Sequence, residues 1–543
     1  MSSETASFKY LSTRGGSYGV SFEKAVLDGL APDNGLYIPE AIPSLPDDWH
    51  QNWLNLSFAD LAFQILSLYI SPEEISPWEL KAIVQNSYST FRVPEITPTI
   101  ALDGDRRVYL LELFHGPTFA FKDVALQFLG NLLEFFLVRK NKGKMGKDRE
   151  HLAVIGATSG DTGAAAIYGL KGKKDVSIFI LYPNGRISPV QEAQMTSVQD
   201  QNVRCLSLDG TFDDCQDIVK ALFADSTTKE SLKLCGVNSI NISRILAQIT
   251  YYFASYFSLV RSGALDPSTN AIRFITPSGN FGNVLAGYLA KRMGLPISKL
   301  IIATNENDIL YRFWKTGTYE KQPIVNHTKD GVQIRDGARP LDEYVKETLS
   351  PAMDIQTSSN VERLLWFIAF DICATDDSII GLDTKRYIAG KRVQEWQNAL
   401  KTKGGFRVEK KVLDIARKHF ESERVSDPET VTTIREVYGW RNNYILDPHS
   451  AIGVAAALRL DKPPPGGCDV ALSTAHPAKF SRAVEMALGN HKGFQFRDIL
   501  PPQFIGLEAL PRRQIHVEKS GDLDGIRKIL IDEVEKELER QHS

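Results

Sequence analysis

The sequence predicts an α/β protein of mainly parallel sheets flanked by helices, with an N-terminal helical unit and a helical insertion. Three observations carry this. Between residues 152 and 304 the apolar runs LAVIGA, VSIFILYP, VRCLSLDG, AIRFITP and KLIIAT are continuous rather than alternating, as in strands covered by helices on both faces. Helical patterns such as AAAIYGL, DDCQDIVKALFAD, SRILAQITYYFASYFSLVR and NVLAGYLAKRMG separate them, the order expected of parallel strands with crossover helices. The 543 residues also exceed one ordinary core, so roughly two to four domains are expected.

Taken in order, residues 1–100 form a mostly helical unit, with FADLAFQILSLYI (58–70) periodic and PEAIPSLP (39–46) a proline-rich break. Residues 101–314 form the α/β core. VYLLELF is its first strand, and DVALQFLGNLLEFFLVRK (123–140) is a helix with Ala125, Phe128, Leu129, Leu132, Leu133 and Phe136 on one face. Residues 315–440 are charge-rich and read as a helical insertion. Residues 441–543 complete the core and end in a solvated amphipathic helix, DLDGIRKILIDEVEKELERQ.

The net charge of −3 gives no broad electrostatic footprint for nucleic acid or an anionic membrane, so any anion must be bound locally. No stretch supplies about 18 uninterrupted apolar residues for a membrane span. Cys205, Cys215, Cys235, Cys373 and Cys468 show neither C-x-x-C pairing nor metal-finger spacing, and their odd number argues against a closed disulfide framework. A cytoplasmic protein without a metal site is expected.

Three loops carry candidate chemistry. In HGPTFAFKD (115–123), Lys122 sits among aromatic and small residues just before the helix. Desolvation there favours the neutral amine, the form that attacks a carbonyl; the alternative is a lysine that snorkels at a helix edge. In PSGNFGN (277–283), Gly279 and Gly282 let the backbone turn at a helix N-terminus, making either an anion cup or a structural turn. The loop matches neither nucleotide-binding glycine motif. In ATSGDTG (157–163), Ser159 and Thr162 can grip a carboxylate or phosphate, whereas Ser159 or Asp161 can serve simply as a helix cap. An amine, a phosphate cup and a second anion grip together describe pyridoxal 5'-phosphate and an amino-acid substrate.

These loops, with NSINISR (238–244), LSTAHPAKF (472–480), STRGG (12–16) and SFEKAVLDGLAPDNGLYIPE (21–40), resemble the motif series of the threonine synthase family in its long fungal and bacterial form. The resemblance spans most of the chain in the same order. It implies the fold-type II pyridoxal-phosphate architecture, which is tryptophan synthase β-subunit-like, and conversion of O-phospho-L-homoserine and water into L-threonine and phosphate, by a monomer.

Carried over residue by residue, it makes Lys122 the Schiff-base lysine and Gly279, Asn280, Phe281, Gly282 and Asn283 the cofactor phosphate cup. Thr474, or its neighbour Ser473, becomes the hydroxyl facing the pyridine nitrogen. Ser159, Asp161, Thr162, Asn241, Ser243 and Arg244 are the expected substrate contacts. The Arg244 fork matches phosphate oxygens, although an ordinary helix-start ion pair is an equal alternative, and Arg14 is a second choice. His115, His449 and His476 are better read as structural. The rival functions are a serine or threonine dehydratase, a β-replacement enzyme of the same fold, or a non-catalytic ligand-binding relative.

Overall fold

Two sheets organise the chain in the computed structural model, which describes residues 8–103, 105–269, 271–321, 325–328, 331–334, 345–440, 443–463, 465–518 and 523–540. Their strands, in chain order, are β1 (Thr99–Asp103), β2 (Val108–Glu112), β3 (Leu152–Ala157), β4 (Val176–Pro183), β5 (Val203–Leu208), β6 (Leu234–Gly236), β7 (Ile272–Pro277), β8 (Ile297–Thr304), β9 (Phe420–Arg424), β10 (Cys468–Ser473) and β11 (Ile515–Val517). One sheet runs β9-β8-β7-β10-β2-β1 and the other β11-β5-β4-β3-β6. All pairs are parallel except β1–β2. Strands β4 and β5 are buried at every residue, which is why their sequences lack polar alternation.

The N-terminal unit contains the expected helices, Phe22–Asp28, Phe58–Ser67 and Pro77–Tyr88, the last opened by a reciprocal Ser76–Glu79 capping box. It also contains an antiparallel strand pair, Tyr10–Ser12 with Tyr37–Pro39. The STRGG turn clasps this unit to helix Val361–Ala374. Arg14 binds Glu362 through two hydrogen bonds, at 3.0 and 2.9 Å, and Thr13 donates to the same carboxylate. Arg14 is therefore a structural ion pair, not the phosphate ligand considered as a second choice.

Residues 315–440 are largely helical, but they are not a simple insertion. They return to the sheet as β9, which pairs with β8 along the edge, so the core continues through the boundary expected at 314. The terminal helix Leu523–Arg540 buries Ile526, Leu530 and Val534 against the second sheet, so only its other face is solvated.

One close contact fixes the relation between the two halves of the core. Helix Lys122–Lys140 crosses helix Asp161–Leu170 where Gly130 meets Gly169. A Cβ on Gly130 would lie 1.9 Å from the Gly169 carbonyl oxygen, and one on Gly169 would lie 2.5 Å from that of Leu126. Backbone touches backbone, so the N-terminal ends of both helices are held in register.

Candidate active site

The central strands β7, β10 and β2 are neighbours, and each delivers one chemistry-bearing loop from its C-terminal end: PSGNFGN, STAHPAKF and HGPTFAFKD. The ATSGDTG loop comes from β3 in the other sheet. All four reach a cavity of about 510 Å³ lined by Lys122, Ser159, Asp161, Thr162, Arg244, Gly279 to Asn283, and Thr474. This is the position at which open α/β sheets collect ligands.

Lys122 is the first residue of its helix and is 8% exposed. Burial lowers its pKa from 10.5 to about 8; Asp161 opposes that shift, while Lys479 and Arg244 reinforce it. The positive end of the helix dipole works in the same direction. The loop before it is braced on both sides. The amide of Phe121 donates to the Thr474 carbonyl at 2.8 Å, and that of His476 donates to Phe119 at 3.1 Å. Phe119 holds a left-handed φ of 61°, with the Arg92 guanidinium 3.7 Å from its ring centroid. The Arg92 guanidinium also donates to the carbonyls of Gly116 and Pro117. A bulky residue with positive φ persists only where its surroundings enforce it.

The glycine loop is built to receive an anion. Phe281 takes φ 63°, stacked on Trp314 at 5.6 Å, and so turns the chain into helix Gly282–Met293. Among the described residues none accepts from the amides of Gly279, Asn280 or Phe281. Asn283 Oδ1 accepts from the hydroxyls of Tyr251 and Tyr252 at 2.6 and 2.9 Å, which leaves its Nδ2 a buried donor without a partner. A row of free donors at a helix N-terminus fits a phosphate monoester.

The neighbouring hydroxyls separate cleanly. Ser473 donates to Ser450 at 3.1 Å and does not line the cavity. Thr474 does line it, and among the described residues none hydrogen-bonds its hydroxyl.

In the ATSGDTG loop the capping acceptor is Thr158, whose Oγ1 takes the amides of Gly160 and Gly163. Ser159 and Thr162 are thereby left on the cavity wall. Asp161 is not a free grip. Burial acts to raise its carboxyl, but the ammonium groups of Lys479 and Lys122 outweigh that and hold it well below the ordinary carboxylate range. It is expected from the sequence among the substrate contacts, yet its charge is already answered by Lys479 at 2.6 Å.

NSINISR divides as well. Asn241 caps helix Ile242–Arg261, accepting from the amide and hydroxyl of Ser243 and donating to Val26 at 2.8 Å. Neither Asn241 nor Ser243 reaches the cavity. Both expected contacts are thus a buried helix cap. Arg244 does reach it, donating to the Val237 carbonyl at 2.9 Å with its Nε buried and unpartnered. Burial lowers its pKa to about 10, and among the described residues no carboxylate pairs with it. Among the described residues the helix-start ion pair left open by the sequence is absent.

Some functional residues carry little sequence signal. Segment 350–360 packs over the glycine loop: Ser358 donates to the Gly279 carbonyl at 2.7 Å, and a Cβ on Gly279 would lie 3.1 Å from the Ala352 oxygen. His449 binds this segment. Its Nε2 accepts from the Ala352 amide at 3.3 Å and its Nδ1 faces Asp447 at 2.9 Å, so it lines the cavity as a structural ring. Lys479 is 1% exposed beside the cavity, and it had a signal: like Lys122, it is a lysine flanked by small and aromatic residues.

Comparisons with known proteins agree with this geometry. Residues 9–88 match the family model described as "Threonine synthase N terminus", 92–371 "Pyridoxal-phosphate dependent enzyme", and 450–530 "Threonine synthase, C-terminal". The chain is 53% identical to a threonine synthase of Schizosaccharomyces pombe over 92% of its own length and 93% of the relative's. It superposes on the crystal structure of threonine synthase from yeast with a TM-score of 0.87 at 48% identity, covering 98% of this chain and 100% of that one. Against the PLP-bound threonine synthase from Brucella melitensis the TM-score is 0.81 at 38% identity, covering 97% and 99%. With a lysine, a donor-rich glycine loop and a buried arginine around one cavity, and with all three family models matched in order, the chain belongs to the threonine synthase family of fold-type II pyridoxal-phosphate enzymes.

Proposed function

We propose that the protein converts O-phospho-L-homoserine and water into L-threonine and phosphate with pyridoxal 5'-phosphate as cofactor. The observation that carries this is the pairing of two separate anion receptors in one cavity: the donor-rich cup at 279–283 and the unpaired buried Arg244. A phosphorylated cofactor needs one, and a phosphorylated substrate needs the other. A dehydratase or β-replacement enzyme acting on serine, threonine or O-acetylserine has no use for the second.

The cup residues Gly279, Asn280, Phe281, Gly282 and Asn283 would hold the cofactor phosphate, Lys122 would hold its aldehyde carbon, and Thr474 would offer its hydroxyl to the ring nitrogen. The cofactor supplies an electrophilic carbon for amine capture and an electron sink for charge developing on the substrate. Ser159 and Thr162, at the start of helix Asp161–Leu170, receive the substrate carboxylate, helped by the helix dipole. Arg244 receives the substrate phosphate; a cation left unpaired in a protein interior is costly, and a phosphate dianion repays that cost when it binds.

With the cofactor bound to the substrate amine, Lys122 would stand as a base in the same cavity, and its depressed pKa of about 8 leaves a minor but far larger neutral fraction near physiological pH than an ordinary lysine has. It takes protons from the substrate carbons and returns them. The net change breaks the Cγ–O bond with loss of phosphate, then places hydroxyl on Cβ and hydrogen on Cγ. Segment 350–360, packed on the cup, covers part of its solvent side. The reading extends to a chain acting alone, in the reducing cytoplasm, on a small molecule; five free buried thiols and a net charge of −3 support it.

The test is threonine formation by wild type and by Lys122→Ala, with serine, threonine and O-acetylserine offered separately. Wild type forms threonine only from O-phosphohomoserine, and the variant loses at least about a thousandfold in kcat while remaining folded. Turnover in the variant, or phosphate release without threonine from wild type, contradicts the assignment.

A further inference from the structure

Beside Lys122 lies a charge cluster for which the chemistry above has no role. Lys479 Nζ donates to Asp161 Oδ1 at 2.6 Å and to the Thr118 carbonyl at 2.8 Å. Gln191 Nε2 donates to the same carboxylate oxygen at 2.9 Å. Asp161 Oδ2 lies 3.9 Å from Lys122 Nζ. Thr118 is fixed in turn, its amide and hydroxyl both donating to Asp123 on the first turn of the Lys122 helix. One carboxylate thus stands between two lysines, and the nearer is not Lys122.

A carboxylate about 4 Å from a buried lysine normally favours the ammonium and removes the free base. Here that pull is already answered. Lys479 sits closer, has no exposed side-chain surface, and is anchored by a backbone carbonyl at a fixed distance. The other charges facing Lys122 are Asp123 on its own helix and Arg244 on helix Ile242–Arg261, with His449 facing Asp161 from helix Pro448–Arg459. Of these only Lys479 touches Asp161.

We propose that Lys479 is a positioning residue that neutralises Asp161 and so keeps the released amine of Lys122 uncharged and available as a base. Asp161 is then the shared counter-charge of two lysines, not a substrate ligand. The inference rests on the assignment of Lys122 as the cofactor lysine. The crossing of Gly130 and Gly169 sets the spacing on which it depends, because those two helices carry Lys122 and Asp161 at their N-terminal ends.

The test measures the charge state of Lys122 directly. Full-length chain freed of cofactor is treated with trace acetic anhydride, which acylates only neutral amines, between about pH 6 and 11, and the Lys122 peptide is quantified by mass spectrometry. Lys479→Met leaves Asp161 to Lys122 alone and raises the labelling midpoint by about one unit, so Lys122 reacts roughly fivefold more slowly at about pH 8. Asp161→Asn lowers the midpoint. Lys479→Arg keeps the charge and stays with wild type, and the double variant Asp161→Asn/Lys479→Met lies above Asp161→Asn alone.

An unmoved midpoint in Lys479→Met, or movement of both single variants in one direction, overturns the inference. Should Lys479→Met fail to fold, Lys479→Gln, which also removes the charge and leaves Asp161 in place, is read for the same upward shift. Borohydride reduction of each cofactor-loaded protein separates the two claims. An adduct away from Lys122 in wild type defeats the functional assignment, whereas an adduct on Lys122 with unmoved midpoints defeats only this inference.

Discussion

Arg244 is a buried cation that no carboxylate among the described residues answers, and such a group is retained at a cost unless something anionic binds it. Arg244→Ala is expected to lower kcat/KM for O-phosphohomoserine by roughly ten- to a hundredfold, the range of one lost charge-assisted hydrogen bond, with cofactor capture unchanged. Steady-state kinetics beside the visible spectrum of the loaded enzyme checks both halves. Lost cofactor capture would place Arg244 at the wrong phosphate. At this scale the sequence was legible where composition betrays environment: Lys122 stands out because its neighbours are apolar. It was not legible where tertiary contacts decide. The left-handed Phe119 and Phe281 look like any phenylalanine in sequence, and their strain is imposed by Arg92 and Trp314. Asn241 and Ser243 were misread for a related reason. A polar run before a helix looks the same whether it faces a ligand or caps that helix.

Among the elements, the strands buried on both faces were plain in sequence, since their runs are mostly apolar and a buried polar residue such as Arg204 stands there only with partners of its own. Strand β9, FESER, was hidden: it pairs on one side only, Glu421 and Arg424 are exposed, and the charge-rich surroundings read as helix. An edge strand has an exposed face to satisfy, so its composition resembles that of a surface helix. The crossing of helices Lys122–Lys140 and Asp161–Leu170 makes a sharper claim. Glycine to alanine inside an exposed helix stabilises by up to about 1 kcal/mol. Gly169→Ala is expected to do the opposite, costing about 1 to 3 kcal/mol as its Cβ forces the helices apart. It should also lower kcat, because Lys122 and Asp161 move with those helices. Denaturant unfolding and kinetics on the same preparation test this; an alanine that stabilises without loss of rate would show that the contact does not set the site.

Over the whole molecule, buried and half-buried histidines couple folding to pH. Burial pushes the pKa of His151, His419 and His476 down from 6.5 to about 4. Between those values the unfolded chain binds more protons than the folded one, so stability rises with pH across the window and is lost as pH falls from 6.5 towards 4. Melting temperature is expected to climb between about pH 4.5 and 6.5 and then level off; His151→Asn should flatten part of the slope. A profile flat across that window would show that these rings are protonated in the fold. The helices of the N-terminal unit and the central strands were legible in the sequence, but not the strand pair within that unit nor the return of residues 420–424 to the sheet. Sheet order is set by contacts far apart in the chain, and a local pattern carries no record of its partner.

One measurement bears most directly on the central claim, that a pyridoxal-phosphate aldehyde is captured by the amine at position 122. The cofactor-loaded protein is reduced with borohydride, digested and analysed by peptide mass spectrometry. The account predicts a single pyridoxyl-phosphate adduct, on Lys122, with Lys479 unmodified despite standing on the other side of the same carboxylate. An adduct on Lys479 or on any other lysine would contradict it.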